Sequence, residues 1–159
     1  MKIKGVAAVV MSSLIVAGCS NTNLNMVKAV QLPPKRVSLE IVNKTGSNQL
    51  EEEMLGLKRI LVEQLNDEGI EVTDSKDVAT VTADFKYYNS GNRALRAFVG
   101  FGAGRIAYDS NWKVVSAAGN ELGSCNIDGW RAMGFFGGSL SSVHEDMAEA
   151  VADCVKGHD

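Results

Sequence analysis

The sequence predicts an α+β fold of two layers, a mainly antiparallel sheet with two helices on one face. Three observations predict it. Apolar residues alternate at period two near residue 37 and in three stretches between residues 79 and 130, as half-buried strands require. They recur at spacings of 3 and 4 over residues 49–66 and 139–156, as amphipathic helices require. The resulting order is strand, helix, short strand, three longer strands, helix, which suits helices gathered on one side of a sheet.

The 159-residue chain is 45% hydrophobic and 22% charged, enough apolar material for one globular domain beside a leader. A net charge of −3 argues against a nucleic-acid binder of the usual basic kind. Residues 1–18 read as a signal peptide. Lys2 and Lys4 precede an uncharged stretch over residues 5–16, too short to span a bilayer. It closes on Val16-Ala17-Gly18-Cys19 and polar Ser20-Asn21-Thr22-Asn23. This segment resembles the lipobox of bacterial lipoproteins. The resemblance implies a diacylglyceryl thioether on Cys19, removal of the leader, and acylation of the new amino group, palmitate being the expected chain type. Ser20 in place of Asp implies sorting to the outer membrane, and the domain is separately expected to face the periplasm. An ordinary secretory signal that leaves Cys19 free is the alternative. Losing Lys2 and Lys4 takes the 16 basic side chains to 14 against 19 acidic ones, a net charge near −5.

Residues 19–35 read as the acylated cysteine and a flexible tether, with Pro33 and Pro34 enforcing extended backbone. Fully extended, the tether reaches roughly 50 Å. Met26, Val27 and Val30 offer a short docked turn instead. The domain is expected over residues 36–159. Val37-Ser38-Leu39-Glu40-Ile41 alternates as a strand, and Asn43-Lys44-Thr45-Gly46 turns the chain. Asn48 with Glu51 marks a helix start, and Leu50, Met54, Leu57, Leu61 and Leu65 form its seam up to a Gly69 stop. Residues 70–73 make a short strand. Ala79, Val81, Ala83, Phe85 and Tyr87 alternate along the next strand, and Ile106, Tyr108, Trp112 and Val114 along the one after. A turn at Ala117-Ala118-Gly119-Asn120 leads to a strand over residues 122–130. Leu140, Val143, Met147, Val151 and Cys154 line the inner seam of the last helix.

Two glycine-rich segments interrupt this pattern, residues 89–104 and 133–138, both apolar where loops are normally polar. Antiparallel pairing across the 117–120 turn places both at one end of the sheet. Arg93, Arg96, Arg105 and Arg131, four of the six arginines, flank them. Arg96, Phe98, Phe101, Arg105, Arg131, Phe135 and Phe136 thus form a candidate interaction surface, apolar with a basic rim, suited to a protein partner or a lipid headgroup layer. Close backbone packing, with the phenylalanines capping the core, is the competing explanation. Gly100-Phe101-Gly102-Ala103-Gly104 is no phosphate loop, since a strand follows it and no Walker lysine is present.

The run from Asn92 to Arg105, the strand pair with its small-residue turn, the glycine segment and the closing Ala-rich helix resemble a group of bacterial envelope lipoproteins catalogued as a domain of unknown function. The resemblance spans residues 36–157, with Arg-x-x-x-Gly-Phe-Gly-Ala-Gly, here Arg96 to Gly104, its most specific part. That group carries Asp-x-x-x-Gly between the paired strands, whereas Ser116-Ala117-Ala118-Gly119 lacks the Asp. The resemblance implies location and fold, and no catalytic residues.

Cys125 and Cys154 remain after processing. Export implies an oxidising compartment, and both cysteines fall on the strand–helix interface, so a disulfide is expected; two small buried thiols are the alternative. His144 with Ser141, Glu145 and Asp146 suggests a triad only superficially, since neighbours on one exposed helix face rarely converge on a substrate. Trp112 and Trp130 both read as packing. The expectation is a non-enzymatic outer-membrane lipoprotein whose domain binds or assembles with an envelope protein, with no catalytic residues, cofactor, metal or nucleic acid. A periplasmic small-ligand binder or hydrolase with a pocket lined by Trp112, Tyr108, Tyr87 or the glycine loops is the alternative, and self-association through an exposed sheet edge is a further one.

Overall fold

The computed structural model describes residues 20–91, 104–133 and 139–157. Among them run β1 (Ser20–Lys28), β2 (Arg36–Asn43), α1 (Asn48–Asp67), β3 (Glu71–Val72), β4 (Ala79–Asn89), β5 (Gly104–Val115), β6 (Glu121–Met133) and α2 (Leu140–Lys156). The strands form one sheet in the order β1-β6-β5-β4-β2-β3. β2 is parallel to β3 and β4, and every other pairing is antiparallel. α1 packs over β2, β3 and β4, α2 over β6, β1 and β5, and the helices touch each other. This is the expected α+β fold.

The helix limits have local causes. Ser47, one residue before the expected start, caps α1 by accepting from the Leu50 amide. Gly69, at φ 79°, ends it. Ser139 caps α2, and Gly157 closes it in the left-handed region at φ 74°. A Cβ on Gly157 would collide with the Val30 carbonyl oxygen. In the β5–β6 turn, Gly119 takes φ 84°, its amide donates to the Ser116 carbonyl, and the Ser116 hydroxyl accepts from Asn120. A serine side chain thus serves this turn.

The tether expectation is corrected over half its length. Residues 20–28 form β1, registered against β6 from Ser20↔Arg131 to Met26↔Cys125. Leu24 and Met26 face the core, while Asn23 donates from its outward side chain to Asp128 at 3.0 Å. The alternation is real, but asparagine disfavours strands in isolation, and β6 supplies what the local sequence lacks. Val30 is buried beyond the strand, beside Gly123.

The second correction concerns β4. Its register with β5 slips between Phe85 and Tyr87, leaving Lys86 as the extra residue of a β-bulge. Phe85 points inward as expected, but Tyr87 is 50% exposed and Tyr88 enters the core instead. Cys125 and Cys154 are joined in a disulfide between β6 and α2. Around it, Trp112, Val114, Ile127, Met147 and Val151 are fully buried, and the Trp112 indole donates to Ser110 Oγ at 2.9 Å.

Candidate functional site

Four strands meet at one end of the sheet. β4 finishes with Asn89 beside Ala107, β5 begins with Gly104 opposite Met133 where β6 finishes, and β1 begins with Ser20 opposite Arg131. Residues 92–103 and 134–138 therefore join the sheet at neighbouring points, as the pairing argument required. We call this the loop end, and the end at the 116–120 turn the hairpin end. Of the expected surface, Arg96, Phe98, Phe101, Phe135 and Phe136 lie outside the described residues, as do Arg93 and the acylation site Cys19.

Arg105 and Arg131 do not share one rim. In β5 the even-numbered residues face the helices; in β6 the odd-numbered ones do. Arg105 accordingly lies on the open face, its guanidinium 4.7 Å over the Trp130 ring. Trp130 is half-buried there rather than packed in the core like Trp112. Arg131 lies on the helix-covered face, with Nη2 donating to Asp146 Oδ2 at 2.7 Å and to Ser20 Oγ at 3.4 Å.

Beneath the helices the loop end holds a polar cluster that the sequence did not disclose. Tyr88 from β4 donates its hydroxyl to Glu53 Oε2 of α1, and Nε2 of His144 from α2 lies 3.4 Å from the same phenol oxygen. Glu53, Tyr88 and His144 are all less than 8% exposed. Burial, then the Glu53 carboxylate, pushes the Tyr88 phenol well above its ordinary range, so it remains a donor. Burial lowers His144 to about 4, leaving it neutral at neutral pH. With the phenol proton committed to Glu53, His144 completes the chain by donating from Nε2.

His144 is therefore not on an exposed face. Ser141 points away to pair with Ser139, and Asp146 is taken by Arg131, so the apparent triad is not assembled. One signal did exist: Glu53 lies three residues after Leu50 and four before Leu57, on the apolar seam itself.

Gly129 organises a second polar contact. It sits between Tyr108 and Thr22 in the sheet, and a Cβ there would strike the Tyr108 ring. The bare backbone lets Tyr108 Oη reach Thr22 Oγ1 at 2.9 Å. Burial pushes Tyr108 up to about 12, against a smaller lowering from Thr22. Trp112 and Tyr108 are buried, while Tyr87 is exposed, so these three line no common pocket. Among the described residues no cluster of three His, Cys, Asp or Glu is placed to hold a metal, and no helix is long and apolar enough to cross a membrane.

A family model described as a domain of unknown function, DUF4410, matches residues 30–134. The chain belongs to the DUF4410 family. The match takes in β2 to β6, the β4 bulge included, while β1 and α2 flank it. Two crystal forms of a PelC dodecamer from Paraburkholderia phytofirmans, one of them a point variant, are similar to this DUF4410 chain. They give TM-scores of 0.57 and 0.53 at 12% identity, covering 87% and 88% of this chain and 100% and 98% of theirs. They show a shared fold. A minor lipoprotein from Acinetobacter baumannii is similar at 14% identity and a TM-score of 0.46, over 76% of this chain and 90% of its own. No curated protein matches the sequence.

Proposed function

We propose that this DUF4410 protein is a lipid-anchored outer-membrane protein, facing the periplasm, that works without catalysis as a binding or assembly module for an envelope protein, its own copies included. The observation that carries the reading is a sheet with two open edges among the described residues. β1 pairs only with β6, and β3 covers β2 only at Arg36 and Val37. Beyond Val37 the β2 edge borders a groove of about 470 Å³ with α1, lined by Leu39, Ile41, Met54 and Leu55. Leu55 is 81% exposed. Unpaired edges are templates for strand addition, and two different edges on one subunit allow head-to-tail closure into a ring. The PelC structures of like fold are dodecamers, and the Val16-Ala17-Gly18-Cys19 sequence supports the anchor.

Light scattering of the detergent-extracted protein, with intact mass on the same sample, tests this. The expected result is a defined oligomer or complex whose subunit begins at an acylated Cys19, dispersed by Leu55→Glu. A monomer that a photo-crosslinker at Leu55 joins to nothing in cells overturns the assembly reading.

A further inference from the structure

The geometry points to the loop end of the sheet, marked by Ser20, Arg105, Trp130 and Arg131, as a surface that rests on the phospholipid headgroups of the leaflet holding the anchor. The inference rests on acylation of Cys19, as proposed above. β1 begins at Ser20, and its register with β6 is unbroken as far as Met26. The anchor residue is therefore one peptide, about 3.8 Å, from a strand fixed in the sheet. A flexible tether would let the domain stand off; β1 removes that slack.

Direction follows from the pairing. β1 is antiparallel to β6, so it starts at the end where β6 finishes and runs away from the anchor. The sheet then stands on the bilayer by its loop end. The hairpin end is held about 35 Å farther out, the length of the 12-residue β5 at roughly 3.3 Å per residue.

The chemistry of that end fits a headgroup layer. Arg105 stacked on Trp130 pairs a cation with an indole, the combination favoured at the level of lipid phosphates. Asp146, which enters the same region from α2, is neutralised by Arg131. The chain has no Asp or Glu between residues 85 and 108 or between 129 and 144, although it carries 19 elsewhere. The strand segments 85–89, 104–108 and 129–133 thus bring no carboxylate to an anionic surface, and the exposed Glu51 and Glu52 of α1 lie beside them. Of the two occupants suited to this end, a bilayer is favoured over a protein because Cys19, the residue proposed to carry the acyl chains, is joined directly to Ser20, the first residue of β1 there.

The test uses the lipidated full-length protein in phosphatidylethanolamine–phosphatidylglycerol vesicles containing a lipid with a nitroxide headgroup. Single fluorescent labels are placed at Ser141→Cys, in the first turn of α2, or Asn120→Cys, in the hairpin turn. Both positions are exposed, and acylated Cys19 and the Cys125–Cys154 bridge leave the new thiol alone to react. The expected result is quenching several-fold stronger at residue 141 than at 120, with the difference lost when ten Gly/Ser residues are inserted between Cys19 and Ser20. Weak quenching at 141 in a protein whose mass shows the acyl chains overturns the inference alone and leaves the loop end open to a protein. Equal quenching at both sites, or a difference that survives the insertion, also overturns it. A mass without acyl chains overturns the anchor reading and this inference together.

Discussion

Along the face covered by the helices, the core changes character from one end of the sheet to the other. Toward the hairpin it is dry: Trp112, Val114, Leu65, Val151 and the Cys125–Cys154 bridge fill it, and Gly123 and Gly157 let Val30 close in. Toward the loops it holds Glu53, Tyr88, His144, the Tyr108–Thr22 contact and the Arg131–Asp146 pair. Burying apolar area stabilises directly, whereas a buried polar group is tolerated only while its partner is present. The dry end therefore carries most of the stability, and the polar end fixes how α1, α2 and β4 meet. Such groups serve geometry more than strength.

Substitutions should separate the two ends. The largest effect is expected at the dry end: Trp112→Ala should cost about 3–5 kcal/mol in denaturant unfolding, and a loss no larger than that of a polar-end variant would break the comparison. Cys154→Ser comes next, at about 3–4 kcal/mol for a loop of roughly 30 residues. A reductant titration followed by melting should move the wild type and leave this variant unmoved.

The pH dependence belongs to the polar end. His144 has a folded-state pKa of about 4, below the ordinary value near 6.5, so the unfolded chain binds the proton more readily. Its contribution is complete above pH 6.5 and is lost as pH falls toward 4, at most about 3 kcal/mol. His144→Leu should flatten unfolding free energy across that window, while Trp112→Ala keeps the wild-type slope. Equal slopes in all three proteins would remove the protonation argument. Tyr88→Phe leaves Glu53 without its phenol donor and should cost about 1–2 kcal/mol. The smallest change is Arg105→Ala, under about 1 kcal/mol by thermal melting, because the cation lies on the open face and supports neither core end.

Which parts were legible follows from the forces involved. Helix seams and β5 alternation are set by burial on one face, so Leu57, Leu61, Trp112 and Val151 announced themselves. The disulfide was accessible because only two cysteines follow Cys19, both at inward positions. β1 was hidden because Asn21, Asn23 and Asn25 read as linker until β6 is placed beside them. Tyr88 was hidden because one extra residue, Lys86, exchanges the faces of everything after it. The polar cluster escaped for the same reason: Glu53, Tyr88 and His144 come from three elements, and only the bulge brings the phenol between the other two. The parity that separates Arg105 from Arg131 could have been counted across the turn from Trp112 and Cys125.

The pairing of β1 with β6 also sets a schedule. Ser20 and its hydrogen-bonded neighbour Arg131 are 111 residues apart, and the first strand has no other strand partner among the described residues. On the reading proposed above, in which the chain is exported, the leading segment must wait, unpaired, until nearly the whole chain has emerged, and long-range closures of this kind form late. That delay is a working interval for any enzyme that cuts before Cys19 or modifies its thiol, because such enzymes take extended, accessible backbone. Once β1 seats, the backbone beside Cys19 is held against the sheet and the interval closes. On that proposed reading maturation and folding compete for the same few residues, and a change that hastens β1 docking should trap the precursor with its leader attached.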